Sequence, residues 1–579
     1  MSNEDGIDAR ELPPAPAAVQ AAGAEPASPA LSRRGFFKKV GAGVGQSLVV
    51  AAAPIALTTR AAAATPDGTP EQIHLTWGED PSSSVVVSWA ALAQALRPRV
   101  IYRSGESHPL TVHAVQRTYT DGLNGETVFT YHAHLHGLQA GATIHYSVTA
   151  DNDSNAASPF TATFETAPRG RAPFRWTSFG DLATPNTVWV LSSPQSRFAV
   201  QAVETFQPLF HLLNGDLCYA NLNPQAQPSV WRDFGNNNQA SAAFRPWMPC
   251  LGNHEVEFNN GPQGFTSYLT RYRLPDNGTG FPGRWYSFRV GSALFISLDA
   301  DDVIYQDGAA FVGAGTLTPA PSTGNAPIAA GTSFYIRGYS GGAQTRWLEQ
   351  TLRDAADDQD VDWIIVQMHQ DALSSSQIGN GSDKGIREAW LPLFDRYGVD
   401  LVLCGHDHDY ERSWPVHGCN HDTGWDATTG ATVDTLQPNP VVTEDPSNST
   451  FDSAGGAIHL ILGGGGTSAP LDVYGVDASN GKPRAKVFTR ANRPTPGATP
   501  GTYTRLAADA YEDAIWSARR DTTTGYGIAV FDLDPGERDG KTTITVNYYH
   551  AAGATATVGT PAYTLFDTVV LAKSRGKAD

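Results

Sequence analysis

The chain has 579 residues, of which 41% are hydrophobic and 17% charged, and its formal net charge is −18. This composition is that of a folded protein with room for two or more domains, and it argues against wholesale disorder. The charge argues against a protein that neutralises nucleic-acid phosphates or anionic lipid, because both tasks need clustered Lys and Arg. A small anionic substrate is compatible with it if a bound cation reverses the local field.

The N-terminal segment has the pattern of an export signal. Arg33 and Arg34 precede the weakly apolar stretch GAGVGQSLVVAAAPIAL, and four alanines follow at 61–64. This arrangement is typical of a twin-arginine signal peptide. A membrane anchor is the alternative, but the stretch is short and diluted by glycine and polar residues. We therefore predict that residues 1–64 are removed, that the mature protein has no stable membrane span, and that it is periplasmic, bound to the cell envelope or secreted.

Four cysteines occur in the chain, namely Cys218, Cys250, Cys404 and Cys419. Their spacing fits neither a zinc knuckle nor a redox pair of the CxxC type. We predict small buried residues or at most one or two disulfides, and the spacing does not define a connectivity.

Residues 65–170 are predicted to form a small β-sandwich. Apolar runs with a period of two occur at IHLTW, VVVSW, VIY and IHYSV, with turn residues between them. The piece GLQAGATIHYSV resembles the tyrosine-corner end of a fibronectin type III-like domain, with Leu138, Gly141 and Tyr146 in the corresponding roles. No catalytic pattern is visible in this domain.

Residues 171–579 are predicted to form an α/β-layered catalytic domain. Apolar strands such as VDWIIVQMH and GVDLVLCGH alternate with helical faces, one containing Leu348 and Leu352 and another containing Trp390, Phe394 and Tyr397. Two segments of weak periodicity, 306–335 and 415–456, are predicted surface loops near the site.

Five polar clusters follow apolar strands in this second domain. They are RWTSFGD, FHLLNGDLCY, PWMPCLGNHE, WIIVQMH and LVLCGHDH. Polar groups at strand ends converge in layered α/β folds, so five such clusters predict one site. Their carboxylates, amide oxygen, imidazoles and phenol suit two borderline or hard metal ions, which form a clamp for phosphoryl transfer. His406 and His408 would face the same way in an extended segment and could each bind one ion.

The ordered set GD, GDxxY, GNHE, H and GHxH resembles that of the calcineurin-like metallophosphoesterases, and specifically of the purple acid phosphatases. The resemblance covers residues 65–579, and stretches such as YSGGAQ, GIREAWLPLF and ILGGGGTSAP are similar to the exported actinobacterial type. It implies an α/β-layered metallophosphoesterase domain, a β-sandwich flanked by helices, behind the fibronectin type III-like domain. It also implies an exported acid phosphatase that hydrolyses small phosphomonoesters by attack of a metal-bound hydroxide.

The resemblance further implies the roles of individual residues. The ferric ligands would be Asp181, Asp216, Tyr219 and His408. The ligands of a divalent ion (Fe, Zn or Mn), with Asp216 shared as the bridge, would be Asp216, Asn253, His369 and His406. His254 would orient the phosphate and protonate the leaving group.

Tyr219 takes the place of a histidine ligand that this chain lacks. Many related enzymes begin with D-x-H, whereas this chain has Asp181, Leu182 and Ala183, with alanine where this family usually has glycine. A phenolate at Tyr219 would add a negative charge and favour a trivalent ion. Two aspartates, this phenolate and a bridging hydroxide would carry about −4 against about +5 for the two ions, which leaves net positive charge for an anionic substrate.

The chain also departs from the family beyond the fourth cluster. The paired histidines of many plant members are absent after His369, where the sequence reads QDALSSSQIGNG. Gln370, Asp371 or the more distant His417 could contribute to the site in place of those histidines. For His417, a solvated surface position is the favoured interpretation. A phosphodiesterase or nucleotide hydrolase on the same metals is the nearest competing function, and a non-catalytic surface-binding protein is a second. Oligomeric state does not follow from the sequence, and no nucleic-acid binding is expected.

Overall fold

The computed structural model describes residues 66–306 except 258 and 262, residues 338–376 and 380–418, and most of 440–467, 481–488 and 510–575, with short strands between them. The predicted signal peptide, Cys419 and nearly all of the predicted loop 306–335 lie outside these residues. Cys218, Cys250 and Cys404 are buried free thiols, so none of these three forms a disulfide.

The N-terminal region consists of two four-stranded antiparallel sheets, as the alternating pattern predicts. Its strands are β1 (Glu71–Trp77), β2 (Val85–Ala91), β3 (Arg99–Ser104), β4 (Leu110–His113), β5 (Val115–Thr120), β6 (Thr127–Leu135), β7 (Thr143–Thr149) and β8 (Phe160–Glu165). The sheet orders are β1-β2-β6-β5 and β4-β3-β7-β8. Trp77, Trp89 and Tyr131 are buried in its core.

The second region is built on strands that alternate with helices in its first half. Its strands are β9 (Phe174–Phe179), β10 (Phe210–Leu213), β11 (Trp247–Pro249), β12 (Tyr286–Val290), β13 (Ala293–Ser297), β14 (Trp363–Gln367), β15 (Ser382–Asp383), β16 (Leu401–Cys404), β17 (Tyr410–Ser413), β18 (Val416–His417), β19 (Asp422–Asp426), β20 (Ala431–Thr435), β21 (Val441–Val442), β22 (Thr450–Asp452), β23 (Ile458–Leu462), β24 (Gly475–Val476), β25 (Pro483–Phe488), β26 (Arg493–Pro494), β27 (Tyr503–Thr504), β28 (Ala510–Asp513), β29 (Ser517–Arg520), β30 (Gly527–Asp534), β31 (Lys541–Ala552) and β32 (Ala562–Ser574). Its helices are α1 (Gln195–Phe206), α2 (Gln227–Ala242), α3 (Thr266–Arg271), α4 (Ala343–Asp357), α5 (Lys384–Ala389) and α6 (Leu391–Tyr397).

Two seven-stranded sheets dominate this region, with orders β11-β10-β9-β30-β31-β32-β22 and β12-β13-β14-β16-β23-β17-β29. Aromatic rings from both sheets form the core between them: Trp176 on β9 stacks on Phe531 of β30 at 4.7 Å and meets Phe295 of β13 edge-on at 5.3 Å. The outer face of the second sheet packs against α4 and α6 through Leu348, Leu352 and other buried apolar residues. The predicted α/β-layered sandwich is confirmed.

Some local predictions need correction. The predicted helical face through Trp390 and Phe394 is interrupted, because α5 ends at Ala389 and α6 begins at Leu391. Trp390 lies between the two helices and remains buried. The segment 415–456, predicted as loops, contains the short antiparallel pairs β18–β21 and β19–β20. None of the helices in the described part of the chain is long and apolar enough to span a membrane.

Tyr146 joins the two regions. It is buried as expected, but its hydroxyl donates to the carbonyl of Ala243, directly after α2, at 2.7 Å. A tyrosine corner is defined by a hydrogen bond from the tyrosine hydroxyl to backbone a few residues upstream, which Tyr146 does not make. The predicted tyrosine corner is therefore wrong. The tyrosine instead satisfies a carbonyl at the end of a helix in the neighbouring region.

A second contact between the regions involves α3. Side chains on one face of the N-terminal sheet reach backbone carbonyls at and after the end of this helix, which otherwise lack intrahelical donors. His132 Nε2 lies 3.0 Å from the Thr270 carbonyl, and Thr76 Oγ1 donates to the Arg273 carbonyl at 2.7 Å. The N-terminal sheet therefore braces the segment that follows the Asn253 cluster.

Candidate metal centre

Parallel strand pairing brings the five polar clusters to one edge of the sandwich. Asp181, Asp216 and Asn253 follow β9, β10 and β11, which are mutually parallel in one sheet. His369 and His406 follow β14 and β16, which are parallel in the other sheet. Because parallel strands end at the same edge, these side chains converge, as the sequence predicts.

The first group of donor atoms consists of Asp181, Tyr219 and His408. Tyr219 Oη donates to Asp181 Oδ1 at 2.9 Å and lies 3.1 Å from His408 Nε2. His408 Nε2 is 3.3 Å from Asp181 Oδ1, which closes a triangle of oxygen and nitrogen donors. Asp181 and Tyr219 are fully buried, so this group forms the floor of the site.

The second group consists of Asp216, His369 and His406. One ligand atom from each lies within 4.8 Å of the others, a spacing that suits a metal ion. His369 Nε2 is 3.1 Å from Asp216 Oδ2 and 3.3 Å from His406 Nδ1. Asn253 is buried, and its Oδ1 has no hydrogen-bond donor among the described residues. An amide oxygen left in that state needs a cation or a donor from outside the described residues.

The backbone is sharply turned where it presents these ligands. Asp181, Asp216, Tyr219 and His406 all have positive φ, between 50° and 65°. Only a few per cent of non-glycine residues adopt this conformation, and such residues concentrate at functional sites. The turn at His406 also corrects the prediction that His406 and His408 share an extended segment. They nevertheless belong to different donor groups, as predicted.

The tautomer of His369 follows from its backbone contact. Its Nδ1 lies 2.7 Å from the Asn214 carbonyl oxygen, which can only accept a hydrogen bond. Nδ1 therefore carries a proton, and Nε2 is the nitrogen that faces Asp216. This is the arrangement that orients a histidine for binding a metal through Nε2.

Glycines allow the loops to approach the ligands closely. A Cβ atom on Gly252 would lie 2.3 Å from Asp216 Oδ1, and one on Gly405 would lie 2.5 Å from Asp181 Oδ2. The glycine run after β23 also contacts the first loop, because Gly465 N donates to the Gly180 carbonyl at 3.0 Å. Side chains at these positions would displace the ligands themselves.

Glu255 fixes two ligand loops at once, a role that we did not predict. Its buried carboxylate accepts from the backbone N–H groups of Asp216 at 2.9 Å, Leu217 at 2.8 Å and Gly252 at 2.8 Å. Three donors converge on two oxygens, so the carboxylate ties the Asp216 loop to the Asn253 turn. Its place in the GNHE cluster was the available signal, but a strand-end pattern alone does not distinguish a ligand from a brace.

His254 lies at the open side of the donor groups, with 13% of its side chain exposed. Its backbone N–H donates to Asp216 Oδ1 at 2.8 Å, and its Nε2 is 3.9 Å from Asp216 Oδ2. Its ring contacts that of Tyr219 at 4.6 Å between centroids. His254 therefore lies beside the candidate metal ligands with part of its side chain open to solvent, and its contact with substrate stays a prediction.

The electrostatics of the site favour a bound cation. Burial lowers the pKa of His369, but the carboxylates of Asp216 and Asp181 outweigh burial and raise it to about 10. Burial raises the pKa of Asp181, whereas at Asp216 the neighbouring imidazoles His369 and His254 overcome burial and lower the pKa. Burial and the same two carboxylates raise the pKa of Tyr219 well above its usual value. A phenolate at Tyr219 therefore requires a strong positive charge nearby.

These residues fit a metal centre. The donor set combines carboxylates, imidazoles, a phenol and the unsatisfied amide oxygen of Asn253, with Gly252 and Gly405 packed against the aspartates. The alternatives to the absent plant-type histidines do not join the donor groups: Gln370 Nε2 donates to Asp301 Oδ1 at 2.8 Å, and His417 is exposed on β18. Asp371 is buried, and the electrostatic contacts that raise its pKa after burial come from Asp407, Asp409 and Glu411.

Comparison with known proteins points in the same direction. Residues 70–166 match the model of the purple acid phosphatase N-terminal domain, and residues 192–410 match that of the calcineurin-like phosphoesterases. An uncharacterized protein of Mycobacterium tuberculosis is 40% identical over 516 residues, which cover 87% of each chain. The Fe(3+)-Zn(2+) purple acid phosphatase 12 of Arabidopsis thaliana is 24% identical over 59% of this chain and 65% of that protein.

Among solved structures, a purple acid phosphatase from yellow lupin (Lupinus luteus) seeds superposes with a TM-score of 0.58 and 17% identity, covering 88% of this chain and 75% of that one. At that identity the likeness concerns the fold. The chain belongs to the purple acid phosphatase family of calcineurin-like phosphoesterases. It is a metal-dependent hydrolase of phosphoric esters of the acid phosphatase class.

Proposed function

We propose that the protein is an exported acid phosphatase that hydrolyses small phosphomonoesters at a binuclear metal centre. The observation that carries this proposal is the adjacency of two donor groups, Asp181 with Tyr219 and His408, and Asp216 with His369 and His406. The His406 backbone N–H of the second group donates to Asp181 Oδ2 of the first at 2.9 Å. Two ions held there would supply the activated nucleophile and neutralise phosphate charge.

We assign the first group to Fe(III) and the second, with Asn253, to a divalent ion (Fe, Zn or Mn); Asp216 would be the carboxylate that both ions share. The raised pKa of Tyr219 supports a trivalent ion, because a phenolate in that buried and negative setting needs positive charge, and a trivalent ion supplies more than a divalent one. The Arabidopsis relative, whose name specifies Fe(3+) and Zn(2+), supports the same pairing.

The protein's own groups then have separate tasks. Asp181, Tyr219 and Glu255 are buried, so they hold the site and exclude water from its floor. His254 is the partly exposed group beside the ligands, and we assign it the orientation of the phosphate and the proton transfer to the leaving oxygen. Its imidazole can donate from Nε2 while Nδ1 remains hydrogen-bonded to the protein.

We also propose that the mature protein begins after residue 64 and works outside the cytoplasm. The twin arginines at 33 and 34 support this assignment. The twin-arginine route carries folded proteins, which suits a chain that binds its metals before export. N-terminal sequencing of the protein recovered from the culture medium and cell envelope would test it, and an intact Met1 in both fractions would contradict it.

Turnover of chromogenic phosphomonoesters and phosphodiesters, measured with iron and zinc content on the same sample, tests the catalytic proposal. We expect monoester hydrolysis on the acid side of neutrality in samples that contain iron and a second metal. Faster diester hydrolysis would identify a phosphodiesterase on the same centre. Absence of both activities in a protein that contains both metals would contradict the proposal.

A further inference from the structure

Asn221 contacts His254 and has a second hydrogen-bonding group that no described residue satisfies. It lies in the short 3-10 turn Ala220–Leu222, directly after Tyr219. Its Oδ1 is 3.0 Å from His254 Nδ1. Its Nδ2 is buried and has no hydrogen-bond acceptor among the described residues. The amide oxygen is therefore hydrogen-bonded while the amide nitrogen is not. A buried polar group without a partner calls for an explanation, and this one lies beside the proposed substrate site.

The engaged end of the amide determines which nitrogen of His254 faces the reaction. Oδ1 can only accept, so Nδ1 of His254 carries the proton in this contact. Nε2, on the other side of the ring, is then the nitrogen that exchanges a proton with the leaving group. The Tyr219 ring and the bond from His254 N–H to Asp216 Oδ1 hold the same residue from two further directions.

The unsatisfied end of the amide leaves a donor for a group that binds beside His254. Nδ2 and Oδ1 share one carbon atom and are about 2.2 Å apart by standard bond lengths, so Nδ2 lies close to His254 as well. A buried N–H without an acceptor is unfavourable, and the described part of the chain offers none here. A phosphoryl group held beside His254 brings anionic oxygens, which are strong acceptors.

We propose that Asn221 is a bifunctional residue of the active site: its Oδ1 positions His254, and its Nδ2–H donates to a phosphoryl oxygen of the substrate. This rests on the proposed function, because it requires a phosphoester beside His254. An asparagine suits both tasks, since it presents an acceptor and a donor from one rigid group and adds no negative charge to an anion site.

The test compares Asn221→Leu, which removes both groups at similar volume, with Asn221→Asp, which keeps the acceptor and replaces the donor by a charge. Each is made in the wild type and in His254→Ala, with the exposed Asn155→Leu as the control. Metal content and unfolding temperature establish that each sample is loaded and folded. The measurements are kcat and KM for p-nitrophenyl phosphate, and the Kd of inorganic phosphate by calorimetry.

We expect Asn221→Leu to lower kcat and to weaken phosphate binding about tenfold, as for loss of a hydrogen bond to a charged group. In the His254→Ala background, Asn221→Leu should no longer lower kcat, because the imidazole that Asn221 positions is absent. The substitution should still weaken phosphate binding in that background. Asn221→Asp should bind phosphate more weakly than Asn221→Leu, and its kcat should remain closer to that of the wild type.

Two outcomes would overturn the inference. Wild-type phosphate affinity in Asn221→Leu would contradict the proposed contact between Asn221 and the substrate. An equal loss of kcat with and without the His254 side chain would contradict the positioning role. Both differ from failure of the proposed function, in which the wild type itself neither hydrolyses the monoester nor binds phosphate.

Discussion

Tyr219 Oη donates to Asp181 Oδ1 at 2.9 Å, and the two residues come from loops after neighbouring parallel strands. The loop that carries Asp181 offers no imidazole, since Leu182 and Ala183 follow it. The phenol of Tyr219 reaches that position from the next loop, which the Ala183 N–H bond to the Leu217 carbonyl holds at 2.9 Å. Ala183 has a positive φ of 56°, which explains why glycine would be the easier residue there.

His254→Ala should keep both metals and lose activity mainly through kcat. The side chain belongs to neither donor group, and loss of one group that stabilises charge or transfers a proton typically costs about 10² to 10⁴ in rate. Steady-state kinetics with metal analysis on the same preparation provides the measurement. Unchanged turnover in the metal-replete variant would contradict the role assigned to His254.

Glu255→Gln should loosen the site without changing any ligand. The glutamine amide keeps the shape of the carboxylate but has only one acceptor oxygen. In the wild type, three backbone N–H groups donate to the two carboxylate oxygens of Glu255. We expect metal affinity to fall about 10- to 100-fold, as for other groups that orient metal ligands. Metal retention during dialysis against a chelator measures this, with the exposed Glu106→Gln as the control. Equal retention in both variants would show that the brace is dispensable.

Glu411→Gln should change stability in a pH-dependent manner. Burial raises the pKa of Glu411 to about 7, even though Ser375 donates hydrogen bonds to it. The folded protein therefore binds this proton more tightly than the unfolded chain, and the contribution of Glu411 to stability falls as pH rises from about 4.5 to about 7. The glutamine variant lacks that loss, so relative to the wild type it gains up to about 3 kcal/mol over this interval.

Chemical denaturation of the wild type and Glu411→Gln at several pH values between 4.5 and 8 tests this expectation. The free-energy difference should shift in favour of the variant as pH rises and level off above about pH 7. Glu106→Gln, at an exposed position, is again the control. A difference that is constant with pH, or that favours the wild type as pH rises, would show that folding does not raise the pKa of Glu411.

Much of the site could be predicted because its chemistry is local in sequence. Asp181, Asp216, Asn253, His369 and His406 each follow an apolar strand, and parallel pairing brings such positions to one edge. Period-two runs likewise sufficed for the N-terminal sandwich. In both cases the pattern and the fold are connected by a rule that needs no information on distant contacts.

The remaining features depend on contacts between distant segments. The Tyr146 hydroxyl donates to the carbonyl of Ala243 in the neighbouring region instead of to backbone of its own domain. Glu255 braces the Asp216 loop, and Asn221 holds His254. None of these is visible as a period or a spacing, because each depends on how separate loops meet. The left-handed turn at His406 was missed for a related reason: a non-glycine residue gives no sequence signal for positive φ.

The most direct test of the central claim, that the Tyr219 phenolate binds ferric iron, is the visible spectrum of the iron-loaded protein and of Tyr219→Phe. The substitution removes one oxygen and leaves the ring that packs against His254, so folding should remain near normal. We predict a purple to pink charge-transfer band in the wild type, its loss in Tyr219→Phe, weaker retention of iron and lower activity. A colourless iron-loaded wild type, or the same band in Tyr219→Phe, would contradict the account.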